Sequence, residues 1–159
     1  MKVGIISDTH LKNPTPFLFR VIKQYFNDVD LILHAGDITS LNVLKAFNGK
    51  EVIAVAGNRE KAEIRKSLPK KKVINLKHFK VGLVHGWGSP FGLQKRAGAI
   101  FDGIDCLVFG HSHWAVNQRF DNILYFNPGA FCGGVFSLWR RSIGILTIDQ
   151  EIKGEIIRL

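Results

Sequence analysis

Lys2-Val3-Gly4-Ile5-Ile6-Ser7-Asp8-Thr9-His10 passes from an unbroken apolar run directly into a carboxylate and an imidazole. Val3 to Ile6 lacks the polar alternation of a half-exposed strand, so it reads as a strand buried on both faces. The same pattern recurs along the chain. Leu31 to His34 leads into Gly36-Asp37, Val52 to Ala56 into Gly57-Asn58, Val81 to His85 ends on its own imidazole, and Leu107 to Phe109 leads into Gly110-His111-Ser112-His113. In open α/β sheets the crevice beyond the carboxyl ends of the strands is where ligands bind, so clusters far apart in sequence can meet there.

The segments between these runs carry helix signals. Thr15-Pro16 pairs a capping side chain with a residue suited to a first helical turn, and Phe17, Leu18, Val21, Ile22, Tyr25 and Phe26 follow at helical spacing until Asn27 and Asp28. Ser40 can cap a short helix with Leu41, Leu44 and Phe47, ended by Asn48-Gly49, and a third helix is expected after Gly57-Asn58. From Val73 the texture changes to strand pairs. Val73 to Leu76 precedes Val81 to His85, and one helix is expected between Phe91 and Ile100. Ala115 to Phe120 and Ile123 to Phe126 form a hairpin about Asp121-Asn122, and Ile143 to Ile148 pairs with Glu155 to Leu159. The expected fold is α/β: a single domain over residues 1–159, a sandwich of mixed sheets flanked by helices.

Lys and Arg number 22 against 13 Asp and Glu, a net charge of +9 that favours anionic ligands. It also attracts nucleic acid weakly, but specific nucleic-acid binding is not expected. Lys70, Lys71 and Lys72 form the only cationic run and are read as a solvated loop. Cys106 and Cys132 lack CxxC spacing and are read as small core residues. No apolar run approaches the roughly 20 residues of a membrane span, so no membrane partner is expected. The first strand begins at once, without a signal peptide, and a cytoplasmic location is expected.

Asp8, His10, Asp37, Asn58, His85, His111 and His113 offer carboxylate oxygen, imidazole nitrogen and one carboxamide oxygen. This mixed set suits Mn, Fe, Zn, Co or Ni rather than Ca or Mg, and the absence of thiolates argues against a structural zinc site. Asp8-Thr9-His10 and His111-Ser112-His113 are expected to place alternate side chains on one side of an extended turn. Singly, each element has an ordinary explanation. Asp-Thr opens loops, Gly-Asn makes turns, and a lone His is usually a satisfied core or surface residue. Seven such residues at successive strand ends point to metal chemistry.

In order, Asp8-x-His10, Gly36-Asp37, Gly57-Asn58, His85 and Gly110-His111-Ser112-His113 resemble the five signature blocks of calcineurin-like metallophosphoesterases. Leu33-His34-Ala35-Gly36-Asp37 and Asn127-Pro128-Gly129 are similar to the small bacterial and archaeal phosphodiesterase branch, which includes the retromer subunit Vps29. The resemblance implies the metallo-dependent phosphatase fold and two divalent transition-metal ions, Mn first, with Ni, Co, Fe or Zn as alternatives. Asp8, His10, Asp37 and His113 would hold one ion, and Asp37, Asn58, His85 and His111 the other, with Asp37 as the bridge. It further implies hydrolysis of a small or nucleotide-derived phosphodiester by a hydroxide bridging the two ions. The alternative is a non-catalytic protein-interaction scaffold resembling Vps29, against which the intact ligand set argues.

Arg59 stands where many relatives have a His that assists the leaving group. A guanidinium cannot act as that acid, so Arg59 is read, with Asn58, as a catalytic residue that stabilises charge on phosphate oxygens; its alternative is a solvent-facing side chain at a helix start. A preference for diesters over monoesters follows. Ala130 replaces a common Ser, ahead of Phe131, Phe136, Leu138 and Trp139, which are read mainly as core, with a homodimer contact or a substrate wall as alternatives. Trp87 and Phe91 are read as buried aromatics at a helix start, or alternatively as a stacking surface for a base or aryl group. His34 and His78 are read as structural.

Overall fold

Apolar side chains on both faces of the first strand need a cover on each side, and two are present in the computed structural model, which describes residues 1–47, 49–58, 60, 62–132 and 141–159. β1 (Lys2–Ile6) runs parallel to β2 (Leu31–His34), which runs parallel to β3 (Val52–Ala54). On its other side β1 pairs antiparallel with β9 (Ser142–Ile148), and β9 with β10 (Ile152–Arg158). A second five-stranded sheet has β4 (Lys71–Leu76), β5 (Phe79–Val84), β6 (Cys106–Val108), β8 (Ile123–Asn127) and β7 (Val116–Phe120) in that order.

Val3, Ile5, Leu31 and Leu33 of the first sheet pack between the sheets with Val81, Leu83, Val108 and Phe126 of the second. Ile6 and Ile32 face the other way, onto α1 (Pro16–Tyr25) and a 3-10 helix over Leu41–Phe47. The outer face of the second sheet is covered by α3 (Leu93–Gly98), through Leu93 and Ala97 against Val84 and Leu107. Full burial of one such side chain contributes roughly 1.5–3 kcal/mol, so this alternation sets which way each strand faces. The expected layered α/β architecture holds.

Thr15 caps α1 as expected, its Oγ1 accepting from the Leu18 N–H at 3.2 Å. Asp121 and Asn122 turn the β7–β8 hairpin with φ of 46° and 65°, the left-handed pair that matches strand twist. The third helix is α2 (Ala62–Ser67). Asn48, Arg59, Phe136, Leu138 and Trp139 lie outside the described residues. Phe131 is core, its ring 5.5 Å from that of Phe17.

The short helix expected after Ser40 is present and takes the 3-10 form, with the Val43 N–H bonded to the Ser40 carbonyl at 3.1 Å. Two expectations are corrected. The lysine run is not wholly a loop, because β5 recruits Lys71 and Lys72 into an antiparallel ladder opposite Val84 and Leu83. Trp87 and Phe91 are exposed, at 42% and 75%. The reason is Arg96, whose guanidinium reaches back from α3 to the carbonyls of Trp87, Ser89 and Phe91 and holds the loop with its rings outward. Among the described residues no helix is long and apolar enough to cross a membrane.

Candidate metal centre

Parallel strands β1, β2 and β3 and the parallel set β5, β6 and β8 all deliver their carboxyl ends to one edge of the sandwich. The loops leaving them do not continue as extended backbone. Asp8, His10, Asp37, His111 and His113 all have left-handed φ, between 48° and 67°, which corrects the expected extended turns. A left-handed residue other than glycine persists only where its surroundings impose it, and here main-chain bonds between loops do so. Asp8 N–H donates to the Gly36 carbonyl at 3.0 Å, His10 N–H to that of Asp37 at 3.1 Å, and Gly110 N–H to that of His85 at 3.1 Å. Two glycines are needed for the close approach this creates. A Cβ on Gly57 would lie 2.3 Å from Asp37 Oδ1, and one on Gly110 would lie 2.0 Å from Ser7 Oγ.

The side chains converge accordingly. Asp8, His10 and His113 present ligand atoms within 4.8 Å of one another, as do Asp8, Asp37 and His85. Asp8 Oδ1 lies 3.1 Å from His113 Nε2, 3.9 Å from His10 Nε2 and 4.0 Å from His85 Nε2. Asp37 spans the two groups, with Oδ2 3.7 Å from His10 Nε2 and Oδ1 3.3 Å from His85 Nε2. His85 Nδ1 lies 2.7 Å from the Ala35 carbonyl, which can only accept, so Nδ1 carries the proton and Nε2 a lone pair in the neutral ring. That buried Nε2 makes no hydrogen bond among the described residues. A lone pair set against two carboxylates calls for positive charge between them, and the donor set fits a transition-metal cation.

Asn58 and His111 complete the cluster one step further out. His111 Nε2 lies 2.7 Å from the Gly88 carbonyl, so its Nδ1 holds the lone pair, 2.8 Å from Asn58 Nδ2. The Asn58 N–H donates to Asp37 Oδ1 at 2.8 Å, and the His85 and His111 rings meet edge to face at 5.3 Å. All seven residues singled out by sequence are thus gathered at one place. Arg59 lies outside the described residues.

Residues 1–151 match the sequence profile of the calcineurin-like phosphoesterase superfamily domain. The chain belongs to this superfamily. A probable metallophosphoesterase of Methanothermobacter thermautotrophicus is 34% identical to this chain over 162 residues, covering 99% of this chain and 92% of its own. A phosphodiesterase of Methanocaldococcus jannaschii is 30% identical over 173 residues, covering 99% of both chains. Among solved structures, a novel archaeal phosphodiesterase matches with a TM-score of 0.78 and 28% identity over all of both chains. Zinc-bound Vps29 from Entamoeba histolytica shares the fold, with a TM-score of 0.70 and 24% identity over 99% of both chains. Membership of the superfamily implies that divalent metal ions serve the phosphoesterase.

Sequence reading did not single out the groups that hold these ligands in place. Ser7 Oγ–H donates to Asp8 Oδ2 at 2.6 Å. Burial alone would push the Asp8 carboxyl up, but the hydrogen bond from His113, the positive charge that His85 and His113 carry when protonated and the Ser7 hydroxyl outweigh it, so the carboxyl is held lower than usual. Glu60 Oε1 accepts from the N–H groups of Ile38 at 3.0 Å and Gly57 at 2.7 Å, tying the Asp37 loop to the Asn58 loop of the phosphoesterase. Asn127 Nδ2 donates to the Gly110 carbonyl at 2.8 Å and to Ser112 Oγ at 3.1 Å, bracing the turn that carries His111 and His113. The Asn127-Pro128-Gly129 wording was the available signal for Asn127; Ser7 and Glu60 had only their adjacency to ligands.

His34 is structural, as expected. Its Nε2 lies 3.1 Å from Thr9 Oγ1, and its Nδ1 accepts from the Gly36 N–H at 3.2 Å. Burial pushes this imidazole down from 6.5 to about 3, with Asp8 opposing the shift. Between these values the unfolded chain binds a proton that the folded chain refuses, so stability falls as pH falls, at about 1.4 kcal/mol per pH unit for this one group. His34→Gln should therefore flatten the decline of the urea midpoint between about pH 6.5 and pH 5. An unchanged slope would assign the acid sensitivity to other groups. Burial likewise raises the Cys106 and Cys132 thiols, consistent with unreactive packing residues.

Proposed function

We propose that the chain hydrolyses phosphodiesters with two divalent transition-metal ions held by Asp8, His10, Asp37, Asn58, His85, His111 and His113. The observation that carries this reading is the lone pair of His85 Nε2 set 3.3 Å from Asp37 Oδ1 and 4.0 Å from Asp8 Oδ1 in a buried space. Bound ions supply a hydroxide at neutral pH and polarise a phosphoryl oxygen, chemistry that no side chain of the cluster offers. Asp8 and Asp37 provide the negative charge that retains them. The Ala35 carbonyl orients His85 with its lone pair toward the carboxylates, and the Gly88 carbonyl fixes His111 with its Nδ1 lone pair toward Asn58. Asp37, between His10 and His85, is the residue placed to serve both ions.

Arg59 follows Asn58 directly, and its permanent charge would offset that of the phosphate oxygens while leaving the departing group to find its proton elsewhere. Esters with good leaving groups, and diesters over alkyl monoesters, are the substrates this favours. Manganese is the ion we favour for this nitrogen and oxygen set, and a small or nucleotide-derived diester the substrate. The scaffold alternative has only the fold shared with Vps29 in its support.

The test is to strip the chain of metal, restore Mn, Ni, Co, Zn or Mg singly, and compare an aryl phosphodiester with its matching monoester. Mn-restored diester hydrolysis, with a monoester rate lower by about tenfold or more, is expected. Folded protein that stays inactive with every ion would leave the scaffold reading.

A further inference from the structure

Beside the candidate metal centre lies a cleft of about 570 Å³ that Asn58 and His85 line together with Arg65, Lys70, Lys71 and Trp87. No acidic residue is among the described residues that line it. None of the three cations forms an ion pair with a carboxylate among the described residues. Two of them are already held in place. Arg65 Nη2 donates to the Asn58 carbonyl at 2.6 Å, leaving the rest of its guanidinium fork for a ligand. Lys71 Nζ donates to the Ile100 carbonyl at 2.6 Å and sits 5.3 Å from the Phe101 ring centroid. Lys70 precedes β4 and stands beside them. Positive charge without a counter-charge, fixed next to proposed metal ligands, is a site for an anion other than the one being cleaved. Trp87 adds the partly exposed face of an indole, and Val84 and Ile100 add apolar lining.

We propose that this cleft binds one arm of the substrate and selects an arm carrying a second phosphate together with an aromatic base, which makes the substrate class a phosphorylated nucleotide diester. The inference rests on the phosphodiesterase reading above. With the scissile phosphate at the metal ligands, the arm that enters the cleft lays its base against Trp87, where stacking tolerates any base, and its extra phosphate against Arg65, Lys70 and Lys71.

Three substrates separate the possibilities in the metal-loaded chain: an aryl diester, an adenosine dinucleotide, and the same dinucleotide bearing a terminal 5′-phosphate. The phosphorylated dinucleotide is expected to exceed the plain one in kcat/KM by about tenfold or more. The paired change Lys70→Gln and Lys71→Gln should reduce that ratio to near unity. Lys70→Gln alone, outside any strand, should lower it severalfold and serves if the pair does not fold. Trp87→Ala should raise KM for both dinucleotides, and Trp87→Phe should restore it. Calorimetry on the metal-free chain should show adenosine 3′,5′-bisphosphate binding about tenfold tighter than adenosine 5′-monophosphate, a readout independent of turnover. Equal kcat/KM for the two dinucleotides, or a preference untouched by the lysine changes, overturns the proposal. A bisphosphate preference in the calorimeter with no aryl diester hydrolysis by any ion overturns the substrate assignment by removing the phosphodiesterase reading, and locates the failure there.

Discussion

Asp37→Asn should reduce metal-restored diester hydrolysis by about a thousandfold or more and lower the number of ions each chain retains, with the fold intact. The two oxygens of Asp37 face different imidazoles, Oδ1 toward His85 and Oδ2 toward His10, so one substitution weakens both halves of the cluster. Asparagine suits the test because it keeps the volume, tolerates the left-handed φ of 58°, and can still accept from the Asn58 N–H. What it removes is the charge. Metal content per chain after dialysis, measured with initial rates and a circular dichroism spectrum, checks this. A variant that keeps both its ions and its rate would remove Asp37 from the mechanism and the two-ion reading with it.

Gly110→Ala should destabilise the fold by about 3 kcal/mol and weaken metal retention, because its new methyl would have to displace the supports of Asp8. The Cβ would lie 2.0 Å from Ser7 Oγ, 2.9 Å from Asp8 Oδ2 and 3.0 Å from the Ala35 carbonyl. Neither the carbonyl nor the buried carboxylate is the end of a flexible chain, so relief requires movement of the ligand loops. Gly110 has no left-handed φ, so its loss reports the collision alone, whereas Gly49→Ala, at φ +79° with nothing within 4 Å of a Cβ, reports backbone strain alone. Urea denaturation of each variant measures the two effects separately. A loss at Gly110 well below about 1 kcal/mol would show that the crowding there relaxes freely.

The seven clustered residues were legible because each followed an apolar run that could only be a buried strand, and parallel strands bring such ends together. Their backbone was not legible. The left-handed turns at Asp8 and His10 depend on carbonyls of Gly36 and Asp37, about thirty positions away, and no local pattern encodes that partner. Trp87 and Phe91 show the same limit, since their exposure is decided by Arg96 gripping the loop from the next helix. Lys71 and Lys72 looked like loop because of their charge, but an antiparallel neighbour was enough to make them strand. Glu60 was invisible as a support because two backbone N–H groups on separate loops hold its carboxylate, a contact that exists only after folding.

The main-chain bonds that join the Asp8, Asp37, His85 and Gly110 loops to one another also bear on how the protein would live with its ions. A zinc finger depends on its metal for its shape, so loss of the ion is loss of the protein. A socket laced together by its own peptide groups keeps its contour whatever sits in it. On the reading proposed here, such a chain can surrender one ion and accept another without unfolding, and the occupant then follows the supply in the cell and the general affinity order of the transition metals. The working enzyme would be a property of the chain together with the mineral conditions of its host.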